Sequence, residues 1–534
     1  MLFSRNLPEP SDRRHFAWPA ARDGAIDAPR DQQALRSRRA AWGCAALIGM
    51  GFLLMYASML PEQPTSANFG SDGGDLAAAV LTGGIPHPTG YPVYLLLGRL
   101  FVVLPFSTPY ARLALFSAVA GALAAALTFA WVWSISGHGR SGANWLAALG
   151  AALAWGSAPL VWSQAVIVEV HTLQALFVLA WLAWVHLLLG GSAGRPAHLL
   201  GCAFLGGLSL GNHLTILLLL PVLGLVLLLA AQRGISRRLL LGQAVALAAG
   251  SLIYLVLPWQ ARAWPPVNWG NPQSLAGLWW LISAEPYRGL VFGISRAEWL
   301  LRGLEWGRQL FSQFGVVGVA LGGVGLVRGT GLRLQTRLLL VWLFAAATVF
   351  SLGYNTPDAQ VYLIPAYLVF AIWFGQGLAL VWRLVWRGVR VGQALALAAL
   401  LLLVGRTLPT RAAVDPRSST GQAEFTAELL NQAPVGAFVV TSGDEDSFPL
   451  WYAHYGLGQR SDLRVVVQPL TQFRWYQETL LKTYPDLQAP LLAERSDGGW
   501  ADELLALNPA HPVCRSEKEA GLPEKIGFSC RAAP

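Results

Sequence analysis

Asp72 and Asp75 stand three residues apart in SDGGDLAAAVL, a short way before His87, which sits between prolines in IPHPTG. At i and i+3 two carboxylates share one face of a helix, an arrangement that suits a general base with a supporting partner. Asp ahead of an apolar run is equally an N-cap, and for Asp75 the two readings stand side by side. Asp72, just before the helix and beside two glycines, is the better candidate base. His87 reads either as a cap on the next turn or as part of the site.

Other polar residues in apolar surroundings extend the set. Glu169 and His171 lie in WSQAVIVEVH, Asn212 and His213 in GLSLGNHLT, Asn268 and Trp269 in PPVNWGNP, and Asp358 in GYNTPDAQVY. Ionisable groups at a membrane boundary are costly unless they face a cavity, so such clusters on one face point to an outward site. Each has a plainer reading: His213 as a satisfied boundary histidine, and Arg99 and Arg112 as side chains that snorkel toward headgroups. Read functionally, His87, Arg99, Arg112, His213, Arg262 and Arg288 are candidates to hold a phosphate. Glu169, His171, Asn212, Asn268, Trp269 and Asp358 are candidates for the substrate pocket.

The elements that must position these residues are membrane helices. The 534 residues are 54% hydrophobic and 13% charged, a composition that lipid must solvate. The 23 tryptophans and the excess of 38 Lys+Arg over 29 Asp+Glu fit interfacial anchoring and cytoplasmic loops, so no nucleic-acid partner is expected. Residues 1–40 are polar and arginine-rich and read as a disordered cytoplasmic tail. The apolar run that follows is long and lacks a small-x-small cleavage site, so it reads as a first span and not as a signal peptide.

Arginine placement gives the topology. Clusters occur at 138–140, 233–238, 328–337 and 383–390. All four fall on the side of the N-terminal tail if the apolar stretch 91–105 does not cross, as the positive-inside rule asks. Residues 91–105 then form a re-entrant or surface-lying helix within a first outer loop, 61–109. The expected fold is a polytopic α-helical membrane protein with about 11 spans across 41–409. A soluble extracytoplasmic α/β domain over 410–534 completes it.

In that domain GAFVVTSGDEDSFPLWYAHYGLGQRSDLRVVVQPL reads as strand, polar turn, short helix, strand. Asp444 and Asp446 fit turn and cap positions there. Cys514 and Cys530 are close enough in sequence for a disulfide in an oxidising compartment, whereas Cys44 and Cys202 lie in spans. No tetratricopeptide-type repeat follows.

SDGGDLAAAVLTGGIPHPTGYPVYLLLGRLF resembles the D-x-G-E … HPPGYPLYLLLGRLF signature of a family long labelled a domain of unknown function, which includes an animal endoplasmic-reticulum protein O-mannosyltransferase. The likeness continues through WSQAVIVEVHTLQALF, GLSLGNHLT, LPWQARAWPPVNWGNP, VYLIPAYLV and GDEDSFPLWYAHYGLGQRSDLRVV, from about residue 45 to 480. It implies a GT-C glycosyltransferase taking a sugar, mannose or a similar hexose, from a polyprenyl-phosphate donor. Asp72 matches the family's Asp; Asp75 stands one methylene shorter where the family has Glu, and HPTG stands for HPPG, which loosens the turn before Tyr91.

Inverting transfer by such an enzyme needs a base for the acceptor hydroxyl and cations for the departing lipid phosphate. The chain has no G-x-x-x-x-G-K-[ST] and no Asp-x-Asp suited to a nucleotide-sugar metal; DED at 444–446 belongs to the soluble domain. No cofactor and no metal are expected, because no tight ligand spacing appears. The expected partners are a polyprenyl-phosphate sugar, membrane lipids and an extracytoplasmic acceptor. That acceptor is a protein Ser/Thr hydroxyl or, alternatively, a lipid or envelope glycan. The expected location is a bacterial inner membrane. A transporter or flippase would instead show internal repeats and ionisable residues at the bilayer midplane.

Overall fold

The structure is a computed structural model, and it describes residues 28–136, 142–189, 196–232, 235–329, 332–495, 499–518 and 526–533. The first 27 residues of the expected tail, the cluster at 138–140 and parts of those at 233–238 and 328–337 lie outside the described residues. Among these, eight helices are long and apolar enough to cross a membrane: Leu35–Ala57, Pro109–Ile135, His171–Leu189, Arg237–Ala261, Arg296–Arg328, Leu334–Gly353, Ala359–Trp382 and Val391–Gln432. A ninth span forms if Gly142–Gly156 and Pro159–Ala165, bent by 63°, count as one. The gap from the expected eleven lies in Pro196–Leu210 and Leu214–Leu229, which are apolar but shorter than the bilayer asks.

The first helix, α1 (Ala28–Ala57), starts inside the stretch expected as a polar tail. Its sequence there, QQALRSRRAAW, is rich in good helix formers, so the helix propagates back beyond the apolar segment. The acidic pair opens α2 (Gly73–Thr82), an alanine-rich helix that stops at Gly83, whose left-handed φ of 70° only glycine adopts freely. Then α3 (Pro92–Val102) starts with proline in its first turn; its 11 residues extend only ~17 Å, too little to span. Next, α4 (Pro109–Ile135) starts from Thr108, whose hydroxyl accepts the Ala111 N–H. After α5 (Gly142–Gly156) the chain turns at Ser157–Ala158 into α6 (Pro159–Ala165), and a turn carrying Glu169 leads to α7 (His171–Leu189).

Close helix contact rests on small residues, as membrane packing demands. A Cβ on Gly375 would overlap the Ala147 carbonyl, and one on Gly377 the Leu321 carbonyl. Between them the Ala359–Trp382 span packs on both α5 and the Arg296–Arg328 span as the most enclosed helix of the bundle.

The soluble domain has the expected strand, turn, helix, strand order: β1 (Phe438–Thr441), a helix Asp444–Trp451, then β2 (Arg464–Val467). With β3 (Val513–Lys518) and β4 (Ile526–Arg531) it forms one sheet in the order β2-β1-β3-β4, in which β1 runs parallel to both neighbours and β4 antiparallel to β3. The domain is not a separate bead. Its apolar core is continuous with that of α2 and α3, and Gly74 on α2 meets the backbone of Phe448 and Pro449.

Cys514 and Cys530 are directly opposed across β3 and β4 and form a disulfide with Cα atoms 4.0 Å apart. Non-reducing peptide mapping should recover that linkage. Replacing both cysteines by serine should cost the full-length protein about 2–4 kcal/mol, the usual worth of a short-loop disulfide. Unchanged thermal unfolding would count against it.

Candidate functional site

Where α2, the loop before α3, the α6–α7 turn, the 213–218 turn, residues 283–291, residues 350–362 and the soluble domain meet, they enclose a cavity of about 910 Å³. One part of its wall is charged and hydroxylic, with Asp72, His87, Glu169, His171, Asp358 and Asp444; another is apolar, with Leu217, Leu218, Leu290, Val291, Phe350 and Val361.

Asp72 is the residue preceding α2, yet its side chain makes no capping bond. Its carboxylate keeps 37% of its surface exposed on the cavity it lines and lies 3.5 Å from His87 Nε2. Burial raises it above the ordinary carboxylate range, tempered by the His87 charge and reinforced by Asp358 and Asp75. Its remaining exposure softens the burial effect, but the direction is that of a stronger base than a surface aspartate.

Asp75 is neither a cap nor a cavity group. It is fully buried; its Oδ2 accepts the His87 backbone N–H at 2.8 Å and lies 2.7 Å from His87 Nδ1, and its Oδ1 accepts the Trp269 indole N–H at 3.2 Å. One helical turn thus separates the carboxylate facing the cavity from the one facing the protein, and His87 bridges them. Burial pulls His87 down, but Asp72 and the bond from Asp75 outweigh it and lift the imidazole to about 9. The turn that presents it is closed by Gly90 N–H donating to His87 O at 2.9 Å, so the threonine of HPTG leaves it intact.

Glu169 lines the same wall. Its Oε2 accepts the Val170 N–H at 2.9 Å and lies 3.7 Å from His171 Nε2, while burial and the Asp72 charge push its carboxyl up to about 8. The rings of His171, His213 and Tyr362 cluster with centroids 5.6–5.8 Å apart.

Not every expected residue reaches the cavity. Arg288 does, held by Ser283 Oγ at 2.5 Å and paired with Glu285 at 3.4 Å. Arg99, Arg112 and Arg262 do not line it. Arg112 is occupied in clamping a loop, donating to the carbonyls of Phe106, of Val102 at 2.6 Å and of Ser107 at 2.8 Å. Asn212, Asn268 and Trp269 stand one layer behind. Asn212 ties Val170 O to Gln174 Oε1, Asn268 holds Asn271 and pairs with Ile85, and Trp269 holds Asp75.

The cavity also contains residues that the sequence reading set aside. Asp444 joins the wall from the soluble domain, with an exposed edge and a carboxyl raised to about 7 by burial and the Asp72 charge. Its neighbour Asp446 does cap, accepting the N–H groups of Ser442 at 2.9 Å and Gly443 at 2.8 Å. Tyr91, Tyr287, Tyr354 and Tyr362 supply phenols to the wall. The available signal was the position of Tyr91, Tyr354, Tyr362 and Asp444 inside motifs already singled out, GYPVYLL, GYNTPDAQVY and GDEDSFP, and of Tyr287 beside Arg288. Among the described residues no group of three or more His, Cys, Asp and Glu side chains is arranged to hold a metal ion.

Residues 72–236 match the model of the protein O-mannosyl-transferase TMEM260 N-terminal domain, and residues 422–491 match TMEM260-associated domain 2. The protein O-mannosyl-transferase TMEM260 of Mus musculus is 27% identical over 459 residues, which are 79% of this chain and 62% of that protein, so the chain spans less than two thirds of the relative. ArnT from Cupriavidus metallidurans, solved bound to undecaprenyl phosphate, superposes with a TM-score of 0.55 at 14% identity, covering 89% of this chain and 93% of ArnT. The apo oligosaccharyltransferase of Archaeoglobus fulgidus gives 0.51 at 15% identity, over 90% of this chain and 69% of that one. At such identities the two structures speak to the fold, which is the GT-C fold expected above. With both domain matches in order along that fold, the chain is similar to the protein O-mannosyltransferase-like GT-C family.

Proposed function

We propose that this chain is a membrane glycosyltransferase that moves a sugar, mannose or a similar hexose, from a polyprenyl-phosphate donor to a hydroxyl of an extracytoplasmic protein, with Asp72 as base. The observation that carries the reading is a base-forming carboxylate on a cavity with one polar and one apolar wall. The name of the mouse relative supports a protein acceptor, and the undecaprenyl phosphate of ArnT supports a polyprenyl donor.

In this reading the donor's isoprenyl chain lies on Leu217, Leu218, Val291 and Phe350, which saves it from water. Its phosphate meets Arg288, the arginine on the cavity wall, in competition with Glu285. The acceptor oxygen attacks the anomeric carbon from the face opposite the phosphate; Asp72 takes its proton, the new C–O bond forms, and the old one breaks with its electron pair leaving on the lipid phosphate. Attack from the opposite face inverts the anomeric centre. Charge develops on the leaving phosphate, so a cation there acts in the transition state.

The test is transfer from polyprenyl-phosphate mannose by full-length protein in detergent, read by mass spectrometry of acceptor proteins and glycolipids. Sugar on Ser or Thr is the expected result; sugar on lipid alone would overturn the protein acceptor, and no transfer with any polyprenyl-phosphate hexose would overturn the donor class. Arg288→Ala should raise the KM for donor roughly tenfold or more, the loss of one charge-assisted contact. Unchanged KM together with unchanged kcat would remove Arg288 from the phosphate site.

A further inference from the structure

The contacts around His87 place acceptors at both edges of the ring. On one edge, Nδ1 faces Asp75 Oδ2 at 2.7 Å, and Asp75 is fully enclosed with two further donors, the His87 backbone N–H and the Trp269 indole. An enclosed carboxylate with that many donors is held as an acceptor, so Nδ1 carries a proton. On the other edge, Nε2 lies 3.1 Å from Tyr91 Oη, whose own proton goes to the Pro88 carbonyl at 3.1 Å. With the phenol proton on that carbonyl and the Asp72 carboxylate beside it, Nε2 faces acceptors and is placed to donate. Both nitrogens being donors, the ring is an imidazolium, and its Nε2 edge lies 3.5 Å from Asp72 Oδ2.

We infer that His87 is a standing cation locked by Asp75, a positioning residue that holds Asp72 ionised and engages its Oδ2 while Oδ1 remains for the acceptor hydroxyl, and that it is not a ligand of the donor phosphate. The inference rests on Asp72 being the base. Two aspartates and one imidazolium carry one net negative charge. The buried member cannot move it, so it resides on the member facing the cavity. Protonating Asp72 by accident of burial would disable the base, and the cation opposes that.

The other titratable groups that face this pair are Tyr91 on the loop, Glu169 and His171 beyond α6, Asp358 and Tyr362 on the 354–362 segment, and Asp444 from the soluble domain. Arg288, His213 and Tyr287 stand on the same cavity wall. The carboxylates among them all favour the imidazolium, and among these residues only Asp75 bonds to its Nδ1.

Nitrogen NMR of full-length protein labelled in its nine histidines tests the clamp without turnover. One imidazole should remain doubly protonated at pH 8, lose its proton near pH 9, and vanish from the spectrum of His87→Gln. In Asp75→Asn the same signal should titrate at least about one unit lower, toward the ordinary 6.5. The alkaline limb of kcat/KM should move with it. His87→Lys, which keeps the cation, should retain more turnover than His87→Gln and push that limb upward. A wild-type spectrum with no doubly protonated imidazole at pH 8 overturns the proposal whether or not any variant folds. So does an Asp75→Asn protein of reduced rate but unmoved limb, which a merely structural Asp75 would give. A clamp that titrates as expected beside a fully active Asp72→Asn would instead remove Asp72 as base.

Discussion

Asp72→Asn should lower sugar transfer by roughly 10²- to 10⁴-fold, the usual worth of a general base, while the protein inserts and elutes as the wild type does. Asparagine keeps the size of the side chain and most of its hydrogen bonding. Asp72 makes no capping bond and lies on a cavity wall, so folding has little to lose. The base works only when ionised, and the surroundings of Asp72 raise it. Wild-type rate should therefore climb with pH through an acid limb lying above the ordinary carboxylate range. In Asp72→Asn that limb should disappear. Turnover within a few-fold of wild type would remove Asp72 as base, and a well-eluting but inactive protein would keep it.

Gly74→Leu should also lower turnover, for a reason that involves no charge. A Cβ at Gly74 falls 2.5 Å from the Phe448 carbonyl and 2.8 Å from the Pro449 nitrogen. Backbone cannot rotate aside as a side chain can, so α2 and the Asp444–Trp451 helix must separate. Overpacking of this kind costs on the order of 1–3 kcal/mol, enough to reduce turnover by tenfold or more if the seam aligns the site. Limited proteolysis should find the soluble domain more easily cut. Gly51→Ala is the control, since nothing lies within 4 Å of the Cβ it would add. Equal activity in both variants would mean that the seam does not organise the cavity.

Much of the fold was legible because membrane helices announce themselves through hydropathy, and because GAFVVTSGDEDSFPLW carries its strand, turn and helix locally. The span count was less legible. Pro196–Leu210 and Leu214–Leu229 are too short to be told from membrane-buried segments by length, and the bend at Pro159 splits one apolar run in two. In the site, Asp72, Glu169, His171, His213, Arg288 and Asp358 were found because an ionisable group beside an apolar run needs an explanation. Arg99, Arg112 and Arg262 satisfied the same criterion and lie elsewhere, since a sequence gives depth in the membrane but not the direction a side chain takes. Asp444 was read as a turn residue because its place on the cavity wall depends on a fold that brings it near residues more than three hundred positions away. The bridging of Asp75 and Asp72 by His87 was invisible for the same reason: periodicity put the two carboxylates on one face but could not say that one faces inward.

The spread of the cavity along the chain has a consequence for biosynthesis. Its wall runs from Ser66 to Ile526, so the acidic start of α2 is among the first parts made and its last neighbour follows ~460 residues later. At roughly 5–20 residues per second, the ribosome leaves that wall incomplete for roughly 20 to 90 seconds. Throughout that interval the inserted helices hold Asp72 on a wall that is not yet closed. A chain released early would be threaded through the membrane, resist extraction and still have no pocket.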